Sequence, residues 1–512
     1  MFESDNAAHW LWVRARRDPD RIAVVAGEDR ITYRTLNDHA ARAAGALTSM
    51  GVGRGDRVAV AMKNRPEFLE LLFATHGIGA IFVPLNFRLA AEQVRYALED
   101  SGARLVFVQE ATDGAVGEAL AGMDPSLPVI RVDGPGADYQ RWRDSAKPLG
   151  TVPVEPRAPA SIIYTSGTTG PPKGAVLTHD GILTNIHSYV FDWDLRRDDV
   201  TIVVNPIFHV VLYILCVPLL YKGGRVVLLE DFDAETALRL AEREKVTVWF
   251  SIPTTWQMIL TSPALGVWDR SRIRFIGSGG AASPTALMDR IAELGLPYRQ
   301  GYGLSETTSS ATTMAPEDQA ARPGSIGRPF VFTQARIADD DGRELPTGTT
   351  GEIQLRGRNI CAGYWNKPEE TAESFGADGW FRTGDLGRMD DEGFVWIVDR
   401  KKDIIISGGE NIASIEVEQV VIDHPAVAEA AVVGVPHPHW GETPCAVVVP
   451  EPGFTVEAEA LIAFCRERLA HYKCPTSVVV VEELPKTASG KIAKATVRDL
   501  VERKAPTTKG AA

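Results

Sequence analysis

The sequence predicts an α/β protein of more than one domain: a large N-terminal domain of stacked mixed β-sheets with helices, a small β-barrel-like subdomain, and a small α+β domain at the C-terminus. Three observations carry this. Helix-spaced and strand-like apolar segments alternate over residues 32 to about 150 and again over 201–294, the rhythm of parallel sheets covered on both faces. After Gly324, short β-type segments punctuated by Gly, Pro and Asp take over. A charged run without apolar anchors, Asp399-Arg400-Lys401-Lys402-Asp403, then precedes a stretch of about 110 residues, enough for a further domain.

The elements follow in order. Residues 36–47 have helical spacing, 57–62 read as a strand and 66–78 as a helix; strand-like 80–84, helical 90–99 and strand-like 103–108 come next. Residues 161–164 and 175–177 are strand-like and enclose a hydroxyl-rich loop. Thr178 is the expected N-cap of a helix whose Ile182, Leu183, Ile186 and Val190 share one face. Segments 331–337, 351–356 and 393–398 suggest a small antiparallel barrel or sheet. In the last part, 417–421, 456–470 and 494–502 read as helices, and 430–433 and 445–449 as strands. The expected division is 1–399, a boundary at 400–402, and 403–512.

Composition narrows the function. Lysine and arginine total 54 against 67 aspartate and glutamate, a formal charge of −13, which argues against nucleic acid as a partner but leaves room for a local phosphate pocket. Five scattered cysteines without a C-x-x-C read as reduced thiols of a cytoplasmic protein. Met1-Phe2-Glu3-Ser4-Asp5 has no basic region leading into an apolar core, so no secretory signal is expected. The longest apolar run, 210–221, contains Pro218 and falls short of the ~20 residues a membrane span needs.

The sharpest local signal is Tyr164-Thr165-Ser166-Gly167-Thr168-Thr169-Gly170-Pro171-Pro172-Lys173-Gly174. Hydroxyls and glycines can wrap N–H donors around phosphate oxygens, and Lys173 adds a point charge. A Walker A loop is excluded, since Pro172 stands where that motif needs glycine and the loop joins two strands. Four further strings follow: Gln300-Gly301-Tyr302-Gly303-Leu304-Ser305-Glu306, Phe381-Arg382-Thr383-Gly384-Asp385, Asp399 to Asp403, and Pro485-Lys486-Thr487-Ala488-Ser489-Gly490-Lys491.

With these five motifs in order, roughly residues 32–501 resemble the adenylate-forming superfamily, which includes acyl-CoA synthetases, stand-alone adenylation domains and beetle luciferase. The resemblance implies an AMP-forming acid–thiol ligase that uses ATP, Mg²⁺ and coenzyme A. It implies a mobile C-terminal lid turning about a hinge at 400–402, with Lys402 at the pivot. It assigns the nucleotide to Thr165, Ser166, Gly167, Thr168, Thr169 and Lys173, to Gly279, Gly280 and Ala281, and to Gln300, Gly301, Tyr302, Gly303 and Ser305. Tyr302 would stack on adenine, Asp385 would accept the ribose hydroxyls, and Arg400 would contact the same sugar. Glu306, with Thr165, would help hold Mg²⁺, a hard cation suited to oxygen donors. Lys491 would be the catalytic lysine bridging the carboxylate and the α-phosphate. Ser407, Gly408, Gly409 and Glu410 would form part of the pantetheine tunnel. Ser414 departs from the pattern, since many relatives have proline there.

Pro206-Ile207-Phe208-His209-Val210-Val211 matches the segment that gates the acyl site. Amino-acid adenylation domains usually carry aspartate where His209 stands, so an amino acid is disfavoured; His209 is expected at the carboxylate end, as a gate and not a metal ligand. Val210, Tyr213, Gly277 and Gly303 would line the acyl pocket, with apolar Leu212, Trp249 and Trp256 nearby. The substrate expected is a small-molecule hydrophobic carboxylic acid, aliphatic or aromatic. Rival readings are an acyl-AMP ligase serving a carrier protein, an adenylation-only enzyme, and a silent adenylate sensor; a homodimer is left open. No G-x-S-x-G or H-E-x-x-H is present, and Gly301-x-Gly303-x-x-Glu306 lacks the third glycine of a dinucleotide fingerprint.

Overall fold

A computed structural model of the chain describes residues 5–165, 171–281, 283–486 and 492–504. The chain forms two compact units. Among the described residues, the first holds 5–165, 171–335 and 355–381, and the second holds 336–354 and 382–504. This division differs from a cut at 399/400 because the strand Phe381–Met389 pairs antiparallel with Val395–Arg400, which keeps both on one side of the division from residue 382 onward.

In the first unit a six-stranded sheet runs in the order Val129–Arg131, Leu105–Val108, Arg57–Ala61, Ile81–Pro84, Pro159–Thr165, Lys173–Thr178. All neighbours are parallel except the last pair. Side chains alternate across it as the pleat requires. Val58, Val60, Phe82, Leu105 and Phe107 pack with Leu36, Leu47 and Phe68 of the helices Tyr33–Ser49 and Pro66–Gly77. Ala59, Val83, Val106 and Val108 face Val94, Leu98 and Val116 on the opposite side. Both faces are therefore dry, which is why these strands read as continuous apolar runs. Thr178 caps the helix His179–Asp192, its Oγ1 accepting from the Gly181 N–H at 3.2 Å.

Two further sheets complete this unit. One orders Asp29–Thr32, Ile22–Ala26, Arg225–Leu228 and Val200–Val203. The other orders Val248–Ser251, Phe275–Gly279, Tyr298–Tyr302, Thr312–Met314 and Arg328–Pro329. The five cysteines are all buried and free; burial pushes the Cys216 and Cys361 thiols up to about 12 and Cys465 to about 11, so they stay protonated.

The β-type segments after Gly324 form a four-stranded sheet in chain order: Thr333–Ala338, Gly351–Gly357, Phe381–Met389, Val395–Arg400. The remainder of the second unit is built on the long hairpin Val427–His437 and Gly441–Pro450. Val432, Ala446 and Val448 on one face pack on Val417, Val421, Leu461 and Cys465 of the helices Ser414–Ile422 and Ala458–Arg466. Ala431, Val433, Cys445 and Val447 on the other face cover Val497 and Val501 of the helix Lys494–Lys504. Among the described residues, no helix is long and apolar enough to cross a membrane.

Candidate active site

The antiparallel strands Pro159–Thr165 and Lys173–Thr178 end in register, Thr165 opposite Lys173, so the hydroxyl-rich loop leaves and returns at one point of the sheet edge. Thr165 Oγ1 donates to the Lys173 carbonyl at 3.2 Å. Lys173 Nζ lies 5.2 Å from the centre of the Tyr364 ring, a cation–π contact. The Tyr364 hydroxyl donates to Glu306 Oε1 at 2.8 Å. Burial and the Glu306 charge push the Tyr364 phenol well above its ordinary value, so it remains a donor. Lysine, tyrosine and carboxylate thus form one chain of contacts.

Glu306 sits in a loop held by its backbone. Thr308 and Ser309 take positive φ values of 50° and 79°, a costly conformation for residues with a Cβ. Asn359, fully buried, stabilises it: its Nδ2 donates to the Thr307 and Ser310 carbonyls at 3.3 and 2.5 Å, and its own carbonyl accepts from Thr308 Oγ1 at 2.8 Å. The Cys361 N–H donates to the Glu306 carbonyl at 2.7 Å. A Cβ at Gly303 would stand 1.9 Å from the Ser309 carbonyl oxygen, so only glycine fits where this loop closes on itself.

Beside this loop, Phe275–Gly279 and Tyr298–Tyr302 are parallel neighbours that bring Gly277, Ser278 and Gly279 opposite Arg299, Gln300 and Gly301. Their glycines leave a surface without side chains, floored by aromatic rings: a Cβ at Gly277 would meet Trp193 at 3.0 Å and Phe250 at 3.1 Å. His209 precedes the short 3₁₀ turn Val210–Tyr213 and packs against Phe208, with ring centres 4.4 Å apart and planes tilted by 48°. Buried Asn185 ties that turn to the Glu306 loop, donating to the Tyr213 carbonyl at 2.7 Å and accepting from Ser309 Oγ at 3.3 Å.

In the second unit Asp385 and Arg400 face each other across paired strands, with Arg400 Nε 3.2 Å from Asp385 Oδ1. The carboxylate is buried while the guanidinium is exposed. Thr383 Oγ1 accepts from the Asp385 N–H at 3.1 Å and donates to the Ile353 carbonyl at 2.7 Å, which fixes the Gly384 corner. Ser407 and Glu410 flank a two-residue hairpin turn in which Gly408 and Gly409 both have positive φ, 59° and 87°, the requirement of a type I′ turn. A Cβ on Gly408 would stand 2.8 Å from the Trp440 ring, so the indole covers this turn.

Comparison with known proteins decides the family. Residues 11–365 match the model of the AMP-binding enzyme family, and residues 416–491 match that of the AMP-binding enzyme C-terminal domain. The chain belongs to the AMP-binding enzymes. It is 41% identical over 490 residues to a feruloyl-CoA synthase of Amycolatopsis sp, covering 96% of this chain and 98% of that protein. It is 37% identical over 506 residues to an indoleacetate–CoA ligase of Aromatoleum aromaticum, covering 97% and 98%. Among solved structures it resembles ATP-bound MatB from Rhodopseudomonas palustris, with a TM-score of 0.90 and 31% identity over 98% of this chain and 99% of that one. The resemblance read from the five motifs is borne out, and with it the mixed α/β architecture and the assignment of this AMP-binding enzyme as an acyl-CoA synthetase.

Lys173 and Glu306 are linked through Tyr364, and Thr165 bonds to the Lys173 carbonyl. Gly277, Gly279, Gln300, Gly301 and Tyr302 lie on two adjacent strands that lead into Gly280, Ala281, Gly303 and Ser305. Asp385 and Arg400 pair, and Lys402 follows as an exposed residue. Ser166, Gly167, Thr168, Thr169 and Lys491 lie outside the described residues. Tyr213 is fully buried, with its hydroxyl 3.0 Å from Ser161 Oγ, so it serves as core beneath the turn. Trp249 and Trp256 pack with their rings tilted against each other, and Trp249 also meets Trp268, in a separate core cluster; Trp256 Nε1 donates to the Gly277 carbonyl at 2.8 Å. Ile252 instead is half-buried, 3.9 Å from a Cβ placed at Gly280.

Sequence reasoning missed Tyr364, Asn359 and Asn185, which lie in no motif and act through partners distant in the sequence. Trp440 likewise lies in no motif, and only the folded chain brings its ring onto Gly408. Among the described residues no group of three or more His, Cys, Asp or Glu stands ready for a metal. A single carboxylate, Glu306 with the Tyr364 hydroxyl beside it, fits Mg²⁺, which keeps most of its shell as water and phosphate oxygen.

Proposed function

We propose that this ligase activates a hydrophobic, aromatic carboxylic acid and transfers it to free coenzyme A. The observation that carries the nucleotide half is the Lys173–Tyr364–Glu306 chain at the mouth of the hydroxyl-rich loop. The aromatic preference is supported by the feruloyl and indoleacetate relatives and by the ring-floored glycine strip. A carboxylate oxygen attacks the α-phosphorus of ATP, the bond to the β-phosphate bridge breaks, and pyrophosphate leaves. The thiol sulfur of coenzyme A then attacks the acyl carbon, the bond to the AMP oxygen breaks, and the thiol proton passes to solvent. Both steps trade on positioning and charge compensation.

In this reading Lys173 offsets phosphate charge, Asp385 accepts from the ribose hydroxyls, and Arg400 contacts the same sugar. Glu306, with Thr165, would hold Mg²⁺, which supplies charge neutralisation on the phosphate oxygens. Tyr364 orients the Glu306 carboxylate. His209 closes the carboxylate end of the acyl site and Lys491 compensates charge between carboxylate and α-phosphate. Residues 400–402 serve as the hinge, and the Gly408–Gly409 turn under Trp440 admits the pantetheine arm. The cytoplasm, which supplies ATP and coenzyme A, is the proposed location.

A panel of benzoic, cinnamic, indolic and aliphatic acids with ATP, Mg²⁺ and coenzyme A, reading AMP, pyrophosphate and thioester, tests this. Thioester from ring-bearing acids supports it. Transfer to a holo-carrier protein but not to coenzyme A, or formation of ADP, contradicts it.

A further inference from the structure

The Asp399 carboxylate is fully buried and accepts three hydrogen bonds: from the Arg400 N–H at 2.7 Å, from the Ser414 N–H, and from the Ser414 hydroxyl at 2.8 Å. Ser414, also fully buried, accepts in turn from Lys494 Nζ at 2.6 Å. Lys494 Nζ lies 2.7 Å from Glu418 Oε1, which takes the Val432 N–H at 2.8 Å. Asp399, Ser414, Glu418 and Lys494 all belong to the second unit. They join three segments: the strand that ends in Arg400, the start of the helix Ser414–Ile422, and the start of the helix Lys494–Lys504. In chain order Asp399 precedes residues 400–402 and the other members follow them. A rotation about that hinge would carry Ser414 and Lys494 but leave Asp399 behind, breaking both Ser414–Asp399 bonds.

We propose that Asp399, Ser414 and Lys494 form a clasp that holds the Lys494–Lys504 helix to the Arg400 segment in one orientation only, the one used for adenylation. Lys491 is three residues before Lys494 in the sequence. Adenylation requires Lys491 and Arg400 on the same nucleotide, and the clasp ties their two segments together. Ser414 and Lys494 are thus positioning residues for the first half-reaction. The inference rests on the ligase reading above.

The position allows a graded test. Ser414 is the first residue of its helix and Ala413 is extended, with φ −73° and ψ 116°, so proline fits the backbone there while removing both donors. Ser414→Thr, Ser414→Ala and Ser414→Pro in the full chain are assayed separately for acid-dependent ATP–pyrophosphate exchange and for coenzyme A transfer from supplied acyl-adenylate, alongside thermal midpoints. With hydrogen bonds to a carboxylate, exchange is expected to fall roughly 10- to 100-fold for alanine, which loses one of the two bonds, and by more for proline, which loses both. The threonine variant should keep wild-type exchange, and transfer should stay within about twofold throughout. Normal exchange in the proline variant, or equal losses in both half-reactions, overturns the clasp alone. No exchange in the unmutated protein with any acid overturns the ligase reading and the clasp with it.

Discussion

Replacing Tyr364 by phenylalanine removes one hydroxyl and leaves the ring under Lys173. The lost bond, 2.8 Å from Tyr364 to a Glu306 carboxylate oxygen, is of the charge-assisted kind worth about 1.5–3 kcal/mol. Nothing else holding the loop changes: the Cys361 N–H still donates to the Glu306 carbonyl, and Asn359 still holds Thr307 and Ser310. If orientation of that carboxylate is needed for the Mg²⁺–ATP complex, adenylation at limiting Mg²⁺ should fall roughly 10- to 100-fold, at about 1.4 kcal/mol per factor of ten. Tyr364→Leu also removes the cation–π contact with Lys173 and should lose a further ~2- to 30-fold, from about 0.5–2 kcal/mol. ATP–pyrophosphate exchange measured across a Mg²⁺ titration reads both effects. Exchange within twofold of wild type for Tyr364→Phe at every Mg²⁺ concentration would refute the linkage of Glu306 through Tyr364.

Gly303→Ala should abolish adenylation and lower the urea midpoint, because its Cβ would sit 1.9 Å from a backbone oxygen that the Glu306 loop cannot move; an active, equally stable variant contradicts the loop's geometry. Acid should destabilise the fold through the buried pair His76 and His179, whose rings lie 5.7 Å apart. Burial lowers His179 to about 4 and His76 in the same direction, so both stay neutral when folded while the unfolded chain protonates them below about 6.5. Their contribution is complete above pH 6.5 and fades as pH falls toward 4, by at most about 3 kcal/mol for His179. Urea midpoints of wild type and His179→Gln between pH 7.5 and 4.5 should show a smaller slope in the variant. Lys491→Ala should lose exchange by orders of magnitude and retain thioester formation from supplied acyl-adenylate, whereas equal losses refute its role.

The sequence made the architecture legible where burial imposes a strict period. The runs at 57–62, 80–84 and 103–108 are apolar on both faces because helices cover both, and their bounds fall within a residue or two of the observed strands. The strand Phe381–Met389 was hidden because its Thr-Gly-Asp centre reads as a turn; it extends because Gly351–Gly357 on one side and Val395–Arg400 on the other satisfy its backbone. The hairpin Val427–His437 and Gly441–Pro450 is longer than its apolar cores suggest, since its polar ends gain ladder bonds from each other. The site was legible where chemistry demands contiguous residues, as in the hydroxyl-rich loop and the Glu306 string. It was illegible where the work is done by folded proximity. Tyr364 beneath Lys173, Asn359 across the Glu306 loop and Ser414 against Asp399 leave no local pattern, and only the tertiary structure joins them.

The most direct measurement is the fate of carboxylate oxygen. An acid accepted in the panel is prepared with ¹⁸O in both carboxylate positions, turned over with ATP, Mg²⁺ and coenzyme A, and the AMP is analysed by mass spectrometry. Attack on the α-phosphorus predicts AMP carrying one ¹⁸O and thioester retaining the other. Unlabelled AMP, with the heavy oxygen in inorganic phosphate instead, would contradict an acyl-adenylate intermediate.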